Sequence, residues 1–305
     1  MDADAKTAAA NQGENRIALS RRDFLRCGIA AAAAPVFGWA FDDPGSFVGV
    51  PIFNEILGRA QAEHWSRLPI GEIVGRVGIA LVGTPYVAST LELYDDREVC
   101  SVNLNGLDCV TFYEISLGFA RMLLHGGRAP KDLLREITFT RYRGGKLDGY
   151  LSRLHYTSDW IEDNDAKGVV RNLTPALPGA IRMDKRIDFM STHPNAYRQL
   201  RANPGLVPRM AALETKISSR KPWYVPNASV SAAEPLLQTG DIVGIATSAG
   251  GLDCSHTGLV YVDNSGTRRF LNASSAKGQV VLGERLSEYA ANYRRNIGVM
   301  IARPK

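Results

Sequence analysis

Asn105-Gly-Leu-Asp-Cys-Val-Thr-Phe-Tyr-Glu114 decides the fold, because an amphipathic helix begins inside it. Phe112, Ile115, Phe119, Met122 and Leu123 recur at three- and four-residue spacing and share a face. Gly126-Gly127 supplies a natural C-terminal stop. The start admits two caps. Asp108 can be the N-cap, which places Cys109 in the first turn. Alternatively Thr111 caps the helix with Glu114 three residues on, a capping box that leaves Cys109 just outside. Either way the thiol lies at a helix N-terminus, where unpaired N–H groups favour a thiolate and can later hold an oxyanion.

Upstream the pattern is also helical. Phe53, Ile56, Leu57 and Ala60, then Ile70, Ile73, Val74 and Val77, repeat at helical spacing, with Pro69 between two helices. Gly83-Thr-Pro-Tyr86 ends that pattern. Residues 139–175 are rich in Arg, Tyr, Gly and Trp and show little periodicity, and 173–238 has the composition of an insertion of loops and one helix, punctuated by prolines. The C-terminal part is β-like: Asp241–Ala246, Thr257–Val262, Arg269–Asn272, Gln279–Leu282 and Gly298–Ala302 are short runs separated by turn residues. Helices first and an antiparallel sheet after them define an α+β domain.

The chain of 305 residues is 45% hydrophobic and 22% charged, enough for a sizeable core and unlike a disordered composition. Its formal charge of +5 is not gathered into a stripe, which argues against nucleic acid as partner. At the N-terminus Ser20-Arg-Arg-Asp-Phe-Leu25 precedes an alanine-rich run from Gly28 to Ala40. This order matches a secretory signal peptide of the twin-arginine (Tat) type, covering 1–40 and cleaved near Ala40, so that the protein is exported to the periplasm. The run is well short of the roughly 20 apolar residues that span a bilayer, so no stable membrane anchor is expected. Cys27 precedes the apolar run and goes with the signal. The remaining Cys100, Cys109 and Cys254 make an odd count, which leaves at least one free thiol. Bridging Cys100 to Cys254 would make Cys109 that thiol; both can equally be buried small hydrophobes.

Among five histidines, His256 alone opens a clear strand after a Gly-Gly loop, where a general base is held rigidly. That strand turns at Asp263-Asn-Ser-Gly266 and returns through Phe270-Leu-Asn272. A hairpin centred near Asn264 sets Asn272 opposite His256, where its carbonyl can accept from the far imidazole nitrogen and fix ring and tautomer.

Taken together, Asp108-Cys109 at a helix start, Ser255-His256-x-Gly258 and a polar residue on the next strand resemble the NlpC/P60 papain-like peptidoglycan hydrolases. From about Pro51 to the C-terminus the chain is more specifically similar to the DUF1460 family, described as N-acetylmuramoyl-L-alanine amidase-like. The motifs that carry this are Gly83-Thr-Pro-Tyr-Val87 with Thr90-Leu-Glu92, Leu107-Asp-Cys-Val-Thr-Phe112, Arg141-Tyr-Arg-Gly-Gly145, Tyr150-Leu-Ser-Arg-Leu-His-Tyr156 with Asp159-Trp160, and Gly240-Asp-Ile-Val243. The resemblance implies one cysteine amidase domain over 41–305, with the nucleophile helix packed on an antiparallel sheet and the insertion at 173–238. It implies a Cys109–His256–Asn272 arrangement with Tyr86 and Asp108 lining the site; family members often carry histidine in place of Asn272. The implied substrate is a muropeptide, including the 1,6-anhydro form, cut between muramic acid and L-alanine, with no metal and no cofactor.

The middle segment suits that substrate class. Arg141, Arg143 and Arg153 can read carboxylates bidentately. Tyr156 and Trp160, with Tyr142 and Tyr150, can stack on sugar faces, while about half of such aromatics are expected to serve packing instead. Ser152 and His155 complete the substrate-binding expectation. Three rivals stand beside the amidase: a γ-D-glutamyl-diaminopimelate endopeptidase on the same scaffold, a non-catalytic wall-binding module, and a zinc hydrolase using Cys109, His256 and Asp253. The last lacks any paired ligand motif.

Overall fold

A computed structural model of the chain describes residues 45–305. The twin-arginine segment, Cys27 and the cleavage point near Ala40 lie outside the described residues. The helices expected upstream form as α1 (Val50–Ala62) and α2 (Ile70–Ala80), separated at Pro69. Between them and the helix that begins at Cys109 runs a long loop flanked by a small parallel pair, β1 (Gly45–Val48) with β2 (Cys100–Asn103), which the sequence did not announce.

Helix α3 (Cys109–Leu124) carries the expected apolar face and more. Every residue from Thr111 to Ala120 is buried, including Glu114 and Ser116, so the helix is a central strut rather than a surface amphipath. It packs on α2 and on α4 (Pro130–Arg141). Gly118 admits α4: a Cβ there would stand 2.7 Å from Ile137 Cγ1. The polar residues of α3 are answered locally. Ser116 Oγ donates to Phe112 O at 2.8 Å, and Glu114 Oε2 receives Arg141 Nε at 2.7 Å.

The segment with little periodicity contains a helix after all, α5 (Thr157–Ala166), whose Ser158, Asp159, Trp160, Ile161 and Asn164 are buried. Hydrophobic spacing misses it because charged Asp159 and amide Asn164 stand at its interior positions. Next come β3 (Val170–Asn172) and β4 (Ile181–Arg182), then the short α6 (Phe189–Thr192) and α7 (Arg198–Ala202). The expected long helix of this region is α8 (Val207–Ser219). Ile187, Met190, Leu200, Met210 and Ile217 share an apolar cluster with Tyr150 and Tyr156. The end of the stretch is not loop: β5 (Trp223–Pro226) joins the main sheet, and α9 (Asn227–Ala233) packs on it.

The remaining strands are β6 (Ile242–Thr247), β7 (Cys254–Val262), β8 (Arg268–Ser274), β9 (Gln279–Arg285) and, after α10 (Leu286–Asn292), β10 (Asn296–Pro304). The main sheet runs β4-β5-β10-β6-β7-β8-β9, with β3 also paired to β10 and all neighbours antiparallel. The architecture is α+β, as expected. Both faces are covered. Ile242, Leu259, Leu271, Ala273, Met300 and Ala302 face the α3 side, whereas Val243, Val260, Phe270, Val299 and Ile301 join Leu286 and Ala290 of α10. No helix among the described residues is long and apolar enough to cross a membrane.

Candidate active site

The two possible caps of α3 resolve into one. Asp108 Oδ1 accepts from Val110 N at 3.0 Å and Thr111 N at 2.7 Å, and Thr111 Oγ1 accepts from Asp108 N at 2.9 Å. Asp108 is therefore the N-cap, Thr111 closes the box, and Glu114 belongs to the interior. Cys109 becomes the first residue of the helix. Asp108 occupies two amides of the first turn, which leaves Cys109's own N–H as the donor for a developing oxyanion.

Helix and sheet are joined at the thiol. Thr257 Oγ1 donates to Cys109 O at 2.7 Å. The residue before Thr257 is His256. A bulge in β7, opposite Ile245 and Ala246, lies between Cys254 and His256. It lets Cys254 Sγ rest against Met300 Sδ at 3.8 Å while His256 turns to Phe270 and Asn272.

His256 Nε2 and Asn272 Oδ1 are 3.0 Å apart. Asn272 Nδ2 donates to Phe270 O at 3.3 Å, which orients the amide so that its oxygen faces the ring. With the Nε2 proton committed to that oxygen, Nδ1 is the basic nitrogen. The pairing departs from direct opposition. Leu259 pairs with Leu271, which continues to Gly258 beside Asn272 and Ser274 beside His256. The hairpin centre lies one residue later than expected, and a shift of two in partner keeps the same face. The contact is diagonal, and it passes over a glycine. A Cβ at Gly258 would sit 2.6 Å from Leu271 O and 2.9 Å from Asn272 Cβ. Gly258→Ala is expected to push β8 off β7, costing about 1–3 kcal/mol by overpacking and lowering kcat more than KM; urea unfolding and steady-state kinetics measure the two effects separately.

The electrostatics reverse one expectation. Burial pushes the Cys109 thiol up to about 12, and the Asp108 charge adds to the rise against the Thr257 hydrogen bonds. Burial also holds His256 below the ordinary imidazole value, opposed by its bond to Asn272. The helix start does not by itself ionise the sulfur, because Asp108 both takes the first-turn amides and brings a negative charge. Burial thus favours the uncharged form of both the thiol and the imidazole.

Tyr86 reaches the site through its backbone. Residue 86 bridges Leu107 in parallel, with Val87 N donating to Leu107 O at 3.0 Å and Leu107 N to Pro85 O at 2.9 Å, two residues before the thiol. Most of the expected substrate contacts are built into the scaffold instead. Arg141 is 1% exposed and donates to Glu114 and, through Nη1, to Ser101 O at 2.8 Å. Arg153 is buried between Glu92 (2.9 Å) and Glu98 (3.4 Å). Tyr156 donates to Glu214 Oε1 at 2.6 Å, and Trp160 packs edge-on to Tyr113 with centroids 5.0 Å apart. These four are corrected to interior residues: each is enclosed, and the three polar ones have buried partners to satisfy. Arg143 grips Asp159 with both nitrogens, at 3.2 and 2.5 Å. Ser152 Oγ donates to Gly149 O at 2.7 Å, and His155 Nε2 lies 2.9 Å from Tyr150 O under a ring contact of 4.5 Å, so both fasten the same turn.

The considered Cys100–Cys254 bridge is absent; Cys100, Cys109 and Cys254 are free thiols. Asp253, the third member of the zinc alternative, accepts from Ser158 N at 2.7 Å and Cys254 N at 2.6 Å. Among the described residues no group of three His, Cys, Asp or Glu could hold a metal ion. Sequence reasoning missed Tyr289, whose ring lies 5.9 Å from that of His256 at 26°. It stands 33 residues downstream in another helix, and no spacing signal connects it to the site.

Fold and site together define an α+β hydrolase. Residues 76–298 match the model of the N-acetylmuramoyl-L-alanine amidase-like (AmiA-like) family, and the chain belongs to that family. It is 32% identical to an N-acetylmuramoyl-L-alanine amidase from Bacteroides uniformis, with a TM-score of 0.71 over 77% of this chain and 99% of that one. A Bacteroides fragilis protein described as a candidate xylanase is 35% identical, with a TM-score of 0.67 over 74% of this chain and 99% of that one. A Legionella pneumophila protein of the DUF1460 family shares the fold at 19% identity, with a TM-score of 0.62 over 83% and 94% of the two chains. No curated protein matches.

Proposed function

We propose that this enzyme is an exported cysteine amidase of the NlpC/P60 kind, which hydrolyses the N-acetylmuramoyl-L-alanine bond of peptidoglycan fragments, including 1,6-anhydro-muropeptides. The observation that carries the reading is the His256–Asn272 hydrogen bond on a strand whose next residue, Thr257, holds Cys109. Cys109 Sγ attacks the lactyl carbonyl as its proton passes to His256 Nδ1, and the carbonyl oxygen takes up negative charge against Cys109 N–H. His256 then gives that proton to the departing alanine nitrogen, and the C–N bond breaks. Water, relieved of a proton by the same imidazole, splits the thioester. Export through the twin-arginine route to the periplasm, with the signal at 1–40 removed from the domain at 41–305, belongs to the same proposal.

The raised thiol and lowered imidazole set the pH profile. Proton transfer needs neutral His256 and protonated Cys109, so activity falls only when acid protonates the imidazole or alkali ionises the thiol. The acid limb of kcat/KM is expected below the ordinary imidazole value of 6.5, and rates are expected to stay level through pH 9 because the thiol is held at about 12. A preformed thiolate–imidazolium pair would instead lose activity as the imidazolium deprotonates in that range.

A xylanase reading needs two carboxyl groups flanking a glycosidic bond. Near the thiol, Asp108 is committed to the helix cap and Asp253 to two backbone amides. Labelling new amino termini after digestion of a defined muropeptide tests the bond. An amidase exposes the α-amino group of L-alanine; a new diaminopimelate terminus would mean the endopeptidase. No new terminus, with glycan fragments still bound, would mean a wall-binding module.

A further inference from the structure

Beside His256 an aromatic run leads from the half-buried imidazole to solvent. The Tyr289 ring lies nearly parallel to that of His256 with centroids 5.9 Å apart, and against Phe270 at 4.5 Å. Tyr293 follows one turn on, with its ring 5.2 Å from that of Tyr289, and it is 42% exposed. Neither hydroxyl is hydrogen-bonded to another described residue, so both can reach a ligand. A tyrosine pair that served only packing would be expected to bury its outer ring; here the outer ring is left open in line with the imidazole.

The chemistry gives that location a meaning. The group that protonates a leaving amine must lie on the leaving-group side of the scissile bond, so the chain beyond that nitrogen passes the imidazole and what flanks it. We propose that Tyr289 and Tyr293 form a shelf that takes the peptide half of the substrate, the part released with its new amino terminus, and that Tyr293 sets preference for its length. The inference rests on the amidase reading, in which the released half is the peptide and the sugar stays on the sulfur. Planar amides and an alanine methyl lie well on tyrosine faces, and the hydroxyls can donate to peptide carbonyls.

The test uses the exported chain carrying Cys109→Ala, which cannot turn over, and reads binding of the free tripeptide L-alanyl-γ-D-glutamyl-diaminopimelate by calorimetry. Adding Tyr293→Ala is expected to weaken binding about tenfold, the scale of one lost aromatic contact, and Tyr293→Phe to restore most of it. In the Cys109 enzyme, Tyr293→Ala should lower kcat/KM about tenfold on the muramoyl tripeptide and by a clearly smaller factor on N-acetylmuramoyl-L-alanine. Equal effects on both substrates, or tripeptide binding unaffected by Tyr293→Ala, would overturn the shelf. A wild-type enzyme that cleaves neither substrate would overturn the amidase reading, while the binding arm would still report on the shelf.

Discussion

Cys109→Ala should abolish hydrolysis and leave the fold in place. Removing a nucleophile that acts as a unit with its base lowers kcat by about 10⁴-fold or more. The junction survives because Thr257 Oγ1 bonds the backbone carbonyl of Cys109, and Asp108 caps the helix through Val110 and Thr111. The loss of one half-buried sulfur costs about 1 kcal/mol, so thermal unfolding should shift by only a few degrees. Steady-state assays beside a melting curve make the comparison. Residual activity within tenfold of wild type would remove Cys109 from the chemistry.

The second large effect is on stability. Arg141 and Glu114 form an ion pair at 2.7 Å with both side chains about 2% exposed, between α4 and α3. Burial raises the Glu114 carboxyl and the Arg141 charge opposes that rise. Arg141→Met therefore strands a carboxyl in the core and should cost about 3–5 kcal/mol, whereas Glu114→Leu with Arg141→Met should return most of it, since an apolar pair of similar volume has no charge to desolvate. Urea unfolding of wild type, single and double variants measures the cycle. A single variant within about 1 kcal/mol of wild type would show that the pair is not what stabilises the contact. The recovery matters for function as well: Arg141 acts through the interior and not on the substrate, so the double variant should keep its KM.

The sequence was most legible where periodicity and turn chemistry act alone. Helices α1, α2 and α3, the hairpin that pairs His256 with Asn272 and the C-terminal strands follow from local spacing. The middle segment was harder for a physical reason. Its arginines and aromatics have the composition of a binding surface, yet Glu92, Glu98, Glu114, Asp159 and Glu214 satisfy them inside the molecule. Buried ion pairs and surface recognition use the same residue types, and only tertiary partners tell them apart. Helix α5 was hidden by the same polar interior. Helix placement of the thiol is visible in sequence, while the burial that opposes its ionisation is not. Tyr289 had no local signal at all.

The central claim is that Cys109 opens the muramoyl–alanine bond. Mass spectrometry of the products from one defined muropeptide, wild type against Cys109→Ser, tests it most directly. The account predicts free N-acetylmuramic acid, or its anhydro form, together with the intact peptide from wild type and neither product from the variant. A sugar that keeps its alanyl-glutamyl dipeptide, or the same products from Cys109→Ser, would contradict it.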